Sequence, residues 1–289
     1  MKRVKAKIKS EIKSWIRTTR RAVIRTFYPF DGAQLVAALR ALGVRSGDTL
    51  IAHSSWASFE GFAGPVSAAI QALQASVAEG DLMMPTLPFG GSALEYVRSG
   101  KITDIARTPS QMGLLSEAFR RMPGVTRSIH PTHPIAVSGK REAALTADHY
   151  QAETPCGKSS PFHRLLEAGG KILLAGVDIR SMTFFHYAEE VLEPNMPFSP
   201  FTKEWFDVAA KGADGRMYRT RTRLYDPTIS ARRDPSIMEA RLRRSGAWHE
   251  AKVGRLNLIV LSAAEVLAAM QAMAREGRYC YRGIQPAAE

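Results

Sequence analysis

KILLAGVDIRSMTFFHYAEEVL (171–192) is the stretch whose reading decides the fold. KILLAGV (171–177) is a short, almost wholly apolar run bounded by glycines on one side and Asp178 on the other, and it reads as a buried strand. The aromatic run behind it reads as a helix through about Leu192. Working outward, the same alternation recurs. Asp31 precedes GAQLVAALRALG (32–43), a helix whose Leu35, Leu39 and Leu42 share one face and which Gly43 ends. DTLIAHSS (48–55) and DLMMPTL (81–87) read as strands, and GPVSAAIQALQASVAEG (64–80) between them as a helix. MGLLSEAFRRM (112–122), REAALTADH (141–149) and SPFHRLLEAGG (160–170) read as helices, and HPIAVSG (133–139) as a short strand. EWFDVAAKGADGRMYRTRTRLYD (204–226) reads as a hairpin turning at KGADG. SAAEVLAAMQAMAREG (262–277) is a closing helix with a capping-box pattern at Ser262 and Glu265. Strand–helix alternation predicts a layered α/β domain, to which the hairpin adds antiparallel character.

The net charge of +13 is unevenly spread: residues 1–27 hold ten Lys or Arg against one Glu, so most of the excess lies there. Val4, Ile8, Ile12, Trp15, Ile16, Val23 and Phe27 recur at helical spacing in that segment. A basic amphipathic helix of this kind either lies on an anionic membrane surface or packs on the domain with its charges in water. Residues 1–30 are therefore read as an appendage and 31–289 as one domain. One tryptophan in the segment, and no basic stripe with interleaved aromatics elsewhere, argue against a nucleic-acid partner. Two cysteines, Cys156 and Cys280, fit neither a disulfide framework nor a cysteine-based metal site, so a reducing, cytoplasmic setting is expected.

The candidate chemistry sits where strands end. AHSS (52–55) places His53, Ser54 and Ser55 at the carboxyl end of a strand, the edge on which ligands dock in open α/β sheets. His186 and Glu189 stand three apart on the helix that follows KILLAGV, facing one side. A histidine on an apolar helix is as a rule a satisfied core residue, but in a cleft it can take a proton from a nucleophile. HPTH (130–133) is broken by proline and lacks a third ligand, so no metal is expected. CGKSS (156–160) carries the end of a phosphate loop without its leading glycine or its strand.

Five segments in order resemble the aminoglycoside 3-N-acetyltransferase family. They are LIAHSSWASFEGF (50–62), DLMMPTL, LLSEAFRRMPGVTRSIHPTHPIAVSG (114–139), PCGKSSPFHRLLEAGGKILLAGV (155–177) and TFFHYAEE (183–190). The resemblance implies a layered α/β/α fold on a central mixed sheet, and direct transfer of acetyl from acetyl-CoA to an amine of a small-molecule acceptor. It places His186 where that family has its general base, with Glu189 beside it and no metal. Ser54, Ser55, Arg127, Ser128, His130, Ser160 and Thr183 would lie against the coenzyme, Arg127 suiting a phosphate.

Departures from the family pattern concern the acceptor. Met182 replaces an asparagine, FGGSA (89–93) replaces an acid, and LYD (224–226) keeps only the second acid of a pair, leaving Asp226 to orient the imidazole. Arg219, Arg221 and Arg223 alternate along one strand, either as a solvated face or, where that face lines the acceptor side, in favour of an anionic or nucleotide-linked amino sugar of surface polysaccharide synthesis. The basic N-terminal helix would suit peripheral work at the inner face of a membrane. The alternatives are antibiotic resistance by aminoglycoside acetylation, and a non-catalytic membrane-surface binding protein on the same fold.

Overall fold

A computed structural model describes residues 15, 18–20 and 22–283. Ten strands occur there: β1 (Thr49–Ser54), β2 (Asp81–Pro85), β3 (Thr103–Asp104), β4 (Thr126–Arg127), β5 (Ile135–Gly139), β6 (Lys171–Ala175), β7 (Phe201–Lys211), β8 (Met217–Tyr225), β9 (His249–Val253) and β10 (Leu256–Ser262). Seven of them form one sheet in the order β4-β5-β2-β1-β6-β10-β9. Its centre is parallel, β1 pairing with both β2 and β6, and its flanks are antiparallel. This is the expected mixed sheet.

Alternate residues of the central strands feed two cores. Ile51, Met83, Ile172 and Leu174 pack beneath the helices Pro161–Glu167, Phe184–Leu192 and Ala263–Arg275. Leu50, Ala52, Leu82, Met84, Leu173 and Ala175 pack beneath Gly32–Ala41, Val66–Ser76 and Leu114–Phe119. Period-two burial on both faces makes the three-layer α/β/α sandwich. The β7–β8 hairpin stands apart, joined by β3 in a separate three-stranded sheet.

Local signals hold at most ends. The Asp31 side chain accepts from Gln34 N and the Gln34 side chain returns the bond, a complete capping box. Ser160 caps its helix, with Pro161 as the first helical residue. Ser262 is a correction: it stands at the N-cap position but makes no side-chain capping bond, so the box expected with Glu265 is not formed. The short strands β3 and β4, and the β9–β10 hairpin, are absent from the sequence reading.

Near the N-terminus, residues 15, 18–20 and 22–27 are helical; the pattern positions Val4, Ile8, Ile12 and Ile16 lie outside the described residues. Ile24 is buried while Trp15, Val23 and Phe27 are exposed. Among the described residues no helix is long and apolar enough to cross a membrane.

Candidate active site

The carboxyl ends of β1 and β6 open into a cavity of about 690 Å³ lined by His53, Ser54, Met182, Thr183, His186, Tyr225 and Arg233 among others. Gly176 makes the turn out of β6. It has φ +69°, and a Cβ there would overlap Ser58, whose hydroxyl donates to the Gly176 carbonyl at 2.8 Å. The chain then passes a single 3₁₀ turn and enters the helix Phe184–Leu192 at Thr183. Phe184, Phe185, Tyr187, Ala188 and Leu192 bury most of that helix and fix its rotation. His186, in the first turn, is thereby left at the cavity wall.

His186 Nδ1 lies 3.4 Å from Glu189 Oε2. A carboxylate can only accept, so Nδ1 carries the proton and Nε2 keeps its lone pair. Burial lowers the His186 pKa below 6.5; Glu189 opposes this by hydrogen bond and charge, and the Arg233 cation adds to it. The resident state near neutrality is therefore an unprotonated imidazole with one basic nitrogen, the form a general base requires. Glu189 is fully buried, and its second oxygen accepts from Arg233 Nε at 2.7 Å. Tyr225 packs against the His186 ring, centroids 4.9 Å apart, and the Arg233 guanidinium lies 4.3 Å from the Tyr225 centroid.

A second histidine faces the same space. Thr183 does not cap its helix by side chain; its hydroxyl lies 3.3 Å from His53 Nδ1. His53 Nε2 is buried with no partner among the described residues, as is Ser54 Oγ. Burial, with His186 nearby, lowers the His53 pKa to about 3, so this imidazole is neutral. If the Thr183 hydroxyl donates to Nδ1, the proton is on Nε2, where it forms an uncharged N–H donor. His133 also lines the cavity, and burial holds it well below 6.5.

Of the residues singled out in the sequence, His53, Ser54, Met182, Thr183, His186 and the FGGSA stretch (89–93) line the cavity, and Glu189 stands directly behind His186. The others are corrected. Arg127 is buried and four of its five donors are engaged: Nε donates to Thr86 Oγ1, Nη1 to the carbonyls of Ile105 and Thr108, and Nη2 to that of Thr86. It braces the wall and offers no edge to a phosphate. Ser128 Oγ is shared between Ile135 N–H and His149 Nδ1, and His130 Nδ1 accepts from Thr132 and His133 N–H. Ser160 Oγ caps a helix and donates to the Cys156 carbonyl. Ser55 bonds the Ala175 carbonyl through its backbone and does not line the cavity. Asp226 accepts from Thr228 N and Oγ1 at 2.7 and 2.6 Å, so its carboxylate caps a turn and does not orient the imidazole. Nor do Arg219, Arg221 and Arg223 line the cavity: the first two are exposed, and Arg223 stacks on Phe201 and pairs with Glu193.

Three participants were missed. Tyr225 and Arg233 reach the cavity from the end of β8 and the loop beyond it, far from His186 in sequence. Glu190 lies behind Tyr225, whose hydroxyl donates to it; Thr154 Oγ1 and Cys156 N–H donate as well, at 2.6 and 3.0 Å. Burial nevertheless pushes the Glu190 carboxyl up to about 7.

Comparison with known proteins gives the family and the fold. The family model for aminoglycoside 3-N-acetyltransferase matches residues 51–275. Aminoglycoside N(3)-acetyltransferase VII of Streptomyces paromomycinus is 31% identical over 179 residues, 57% of this chain and 62% of its own length. The chain thus matches under two thirds of that relative. The crystal structure of aminoglycoside acetyltransferase AAC(3)-Xa superposes with a TM-score of 0.74 at 23% identity, covering 87% of this chain and 95% of that one. The CoASH complex of AAC-IIIb superposes at 0.70 and 21%, covering 89% and 99%. These two likenesses concern the fold.

Proposed function

The chain belongs to the aminoglycoside 3-N-acetyltransferase family, and from that premise we propose that it moves the acetyl group of acetyl-CoA directly to an amine of an amino sugar. The observation that carries the reading is the cavity-facing His186 with its Nδ1 held by Glu189. In the step, the amine lone pair attacks the thioester carbonyl carbon while His186 Nε2 takes the proton from nitrogen. The tetrahedral oxyanion collapses, the carbon–sulfur bond breaks, and the coenzyme leaves as a thiolate that receives the proton His186 took from the amine, which restores the base. Ser54 Oγ and, with the Thr183 hydroxyl donating to Nδ1, His53 Nε2–H are the buried, unpartnered donors available to the oxyanion. Acetyl-CoA is the cosubstrate.

The relatives' names make an aminoglycoside amine the first acceptor to test. Release of coenzyme thiol from acetyl-CoA in the presence of a kanamycin-type amine is the assay; no release with any amino sugar would sink the reading. An anionic amino sugar is a second reading. The alternating arginines of β8 give it no support, because they lie away from the cavity, but the cavity's own arginines do. Residues 1–30 we read as an appendage to the catalytic domain 31–289, in a cytoplasmic enzyme. Exposed Trp15, Val23 and Phe27 among basic residues support docking of that appendage on an anionic membrane face. Equal pelleting with anionic vesicles by the full chain and by one lacking residues 1–27 would remove that idea.

A further inference from the structure

The charges on the cavity wall have one sign. Arg180 and Arg233 line it, and no carboxylate does. Behind the wall Glu189 is turned onto Arg233 and His186, and Glu190 onto Tyr225, Thr154 and the Cys156 amide, while at the rim Asp178 and Asp234 pair with Arg180. His133 and His186 are held uncharged by burial. A polycationic acceptor would meet no carboxylate on the inner wall, and the rim acids Asp178 and Asp234 are already paired with Arg180.

The two arginines differ in what they have left to offer. Arg180, half exposed at the rim, has a partner on each nitrogen: Nε with Asp234, Nη1 with Asp178 and Nη2 with Ser236 Oγ. Arg233 is nine-tenths buried. Its Nε donates to Glu189 Oε1 at 2.7 Å and Nη1 to Ser230 Oγ at 2.6 Å, while its plane is held over Tyr225. Nη2 is buried and without a partner among the described residues. With two edges pinned and one face stacked, the guanidinium cannot swing to satisfy its third edge. An oxyanion arriving there makes charge-assisted hydrogen bonds with a donor already oriented and dehydrated.

We propose that Arg233 Nη2 is the anion subsite of the acceptor, so that the amine acetylated belongs to a small amino sugar bearing a phosphate or carboxylate. The proposal rests on the acetyl-transfer reading and narrows its acceptor. The coenzyme's own phosphates are not the anion concerned. The pantetheine arm separates them from the thioester, whereas Arg233 and His186 both lie within 5 Å of the Tyr225 ring.

The test compares glucosamine, glucosamine 6-phosphate, muramic acid and a kanamycin-type aminoglycoside as acceptors, with binding of each followed by calorimetry. At least one of the two anionic sugars should show a KM tenfold or more below that of glucosamine, and which one does tells phosphate from carboxylate. Arg233→Gln should reduce that ratio to about one, Arg233→Lys should keep part of it, and KM for acetyl-CoA should hardly move. Equal KM for the three monosaccharides overturns the subsite, as does a rise confined to the KM of acetyl-CoA. Preference for the aminoglycoside also overturns it while leaving acetyl transfer intact. Coenzyme that is never consumed with any of the four sinks the acetyl-transfer reading, and the proposal falls with it. Arg233→Gln leaves Glu189 unpaired, so if that variant does not fold, the wild-type ratio decides alone.

Discussion

Replacing Glu189 by glutamine separates the two contacts its carboxylate makes. The bond from Arg233 Nε is 2.7 Å long and enclosed, with 10% and 0% of the two side chains exposed, whereas the His186 contact is 3.4 Å. The first is a short charge-assisted bond, and the second is at the outer limit of hydrogen bonding. Breaking a buried pair from one side costs about 3–5 kcal/mol, because the remaining charge stays buried. Arg233 keeps Ser230 and the Tyr225 face, and glutamine keeps one acceptor, so the low end, about 3 kcal/mol, applies here. At about 2–4 °C per kcal/mol for a chain of this size, Tm should fall by about 6–12 °C. The imidazole responds separately. Glu189 raises the His186 pKa and Arg233 lowers it, so the substitution removes the raising influence and leaves the lowering one. The acid limb of kcat/KM should move to lower pH. Adding Arg233→Gln removes the unpaired cation and should recover most of the lost Tm. Circular-dichroism melts of the single and double variants, with a pH–rate profile of the single one, are the assays. An acid limb that moves upward, or a double variant no more stable than Glu189→Gln alone, would falsify this account of the triad.

Three further outcomes follow from the same geometry. His186→Ala should lower kcat by about 10²–10⁴ while leaving coenzyme affinity by calorimetry nearly unchanged; intact turnover would move the base elsewhere. In the wild type, the acid limb of kcat/KM should lie below 6.5, since burial lowers the folded pKa of the base; a midpoint above 6.5 contradicts that burial. Glu190 has a folded pKa raised to about 7, so the stability it contributes is present below its unfolded value and is lost as pH rises through about 7. The loss is at most about 3 kcal/mol. Glu190→Gln should flatten urea-unfolding stability between pH 5 and 8, and an unchanged slope would show that Glu190 does not titrate there.

The central sheet was legible because β1, β2 and β6 are continuous apolar runs closed by turn residues, the pattern of strands covered on both faces. β3 and β4 have two residues each and carry no periodicity to read. Ser262 looked like a capping box because pattern alone does not tell whether the serine side chain turns toward its helix. At the cavity, Ser54 was placed by its strand end and His186 with Glu189 by their spacing on a helix, whereas Thr183 entered only through the family resemblance. Arg127, Ser128 and Ser160 belong to matched segments, yet their side chains are bonded within the wall, and of His130 only Nδ1 is so bonded, Nε2 being buried without a partner among the described residues; such tertiary pairing is not contained in any local pattern. The alternation of Arg219, Arg221 and Arg223 was real, but periodicity does not say which face of a hairpin meets a cavity. Arg233 was invisible for the converse reason: only the return of the chain after β8 brings it to Glu189.

Direct transfer with His186 as base is tested by a rapid-quench single turnover using acetyl-labelled acetyl-CoA and an acetylatable amino sugar, in wild type and His186→Ala. Label should pass from coenzyme to the amine with none on the protein, and the variant should bind coenzyme yet form product at least a hundredfold more slowly, in line with the roughly 10²–10⁴ contributed by a general base. Label retained on the protein during turnover, or product formed by the variant at the wild-type rate, would contradict it.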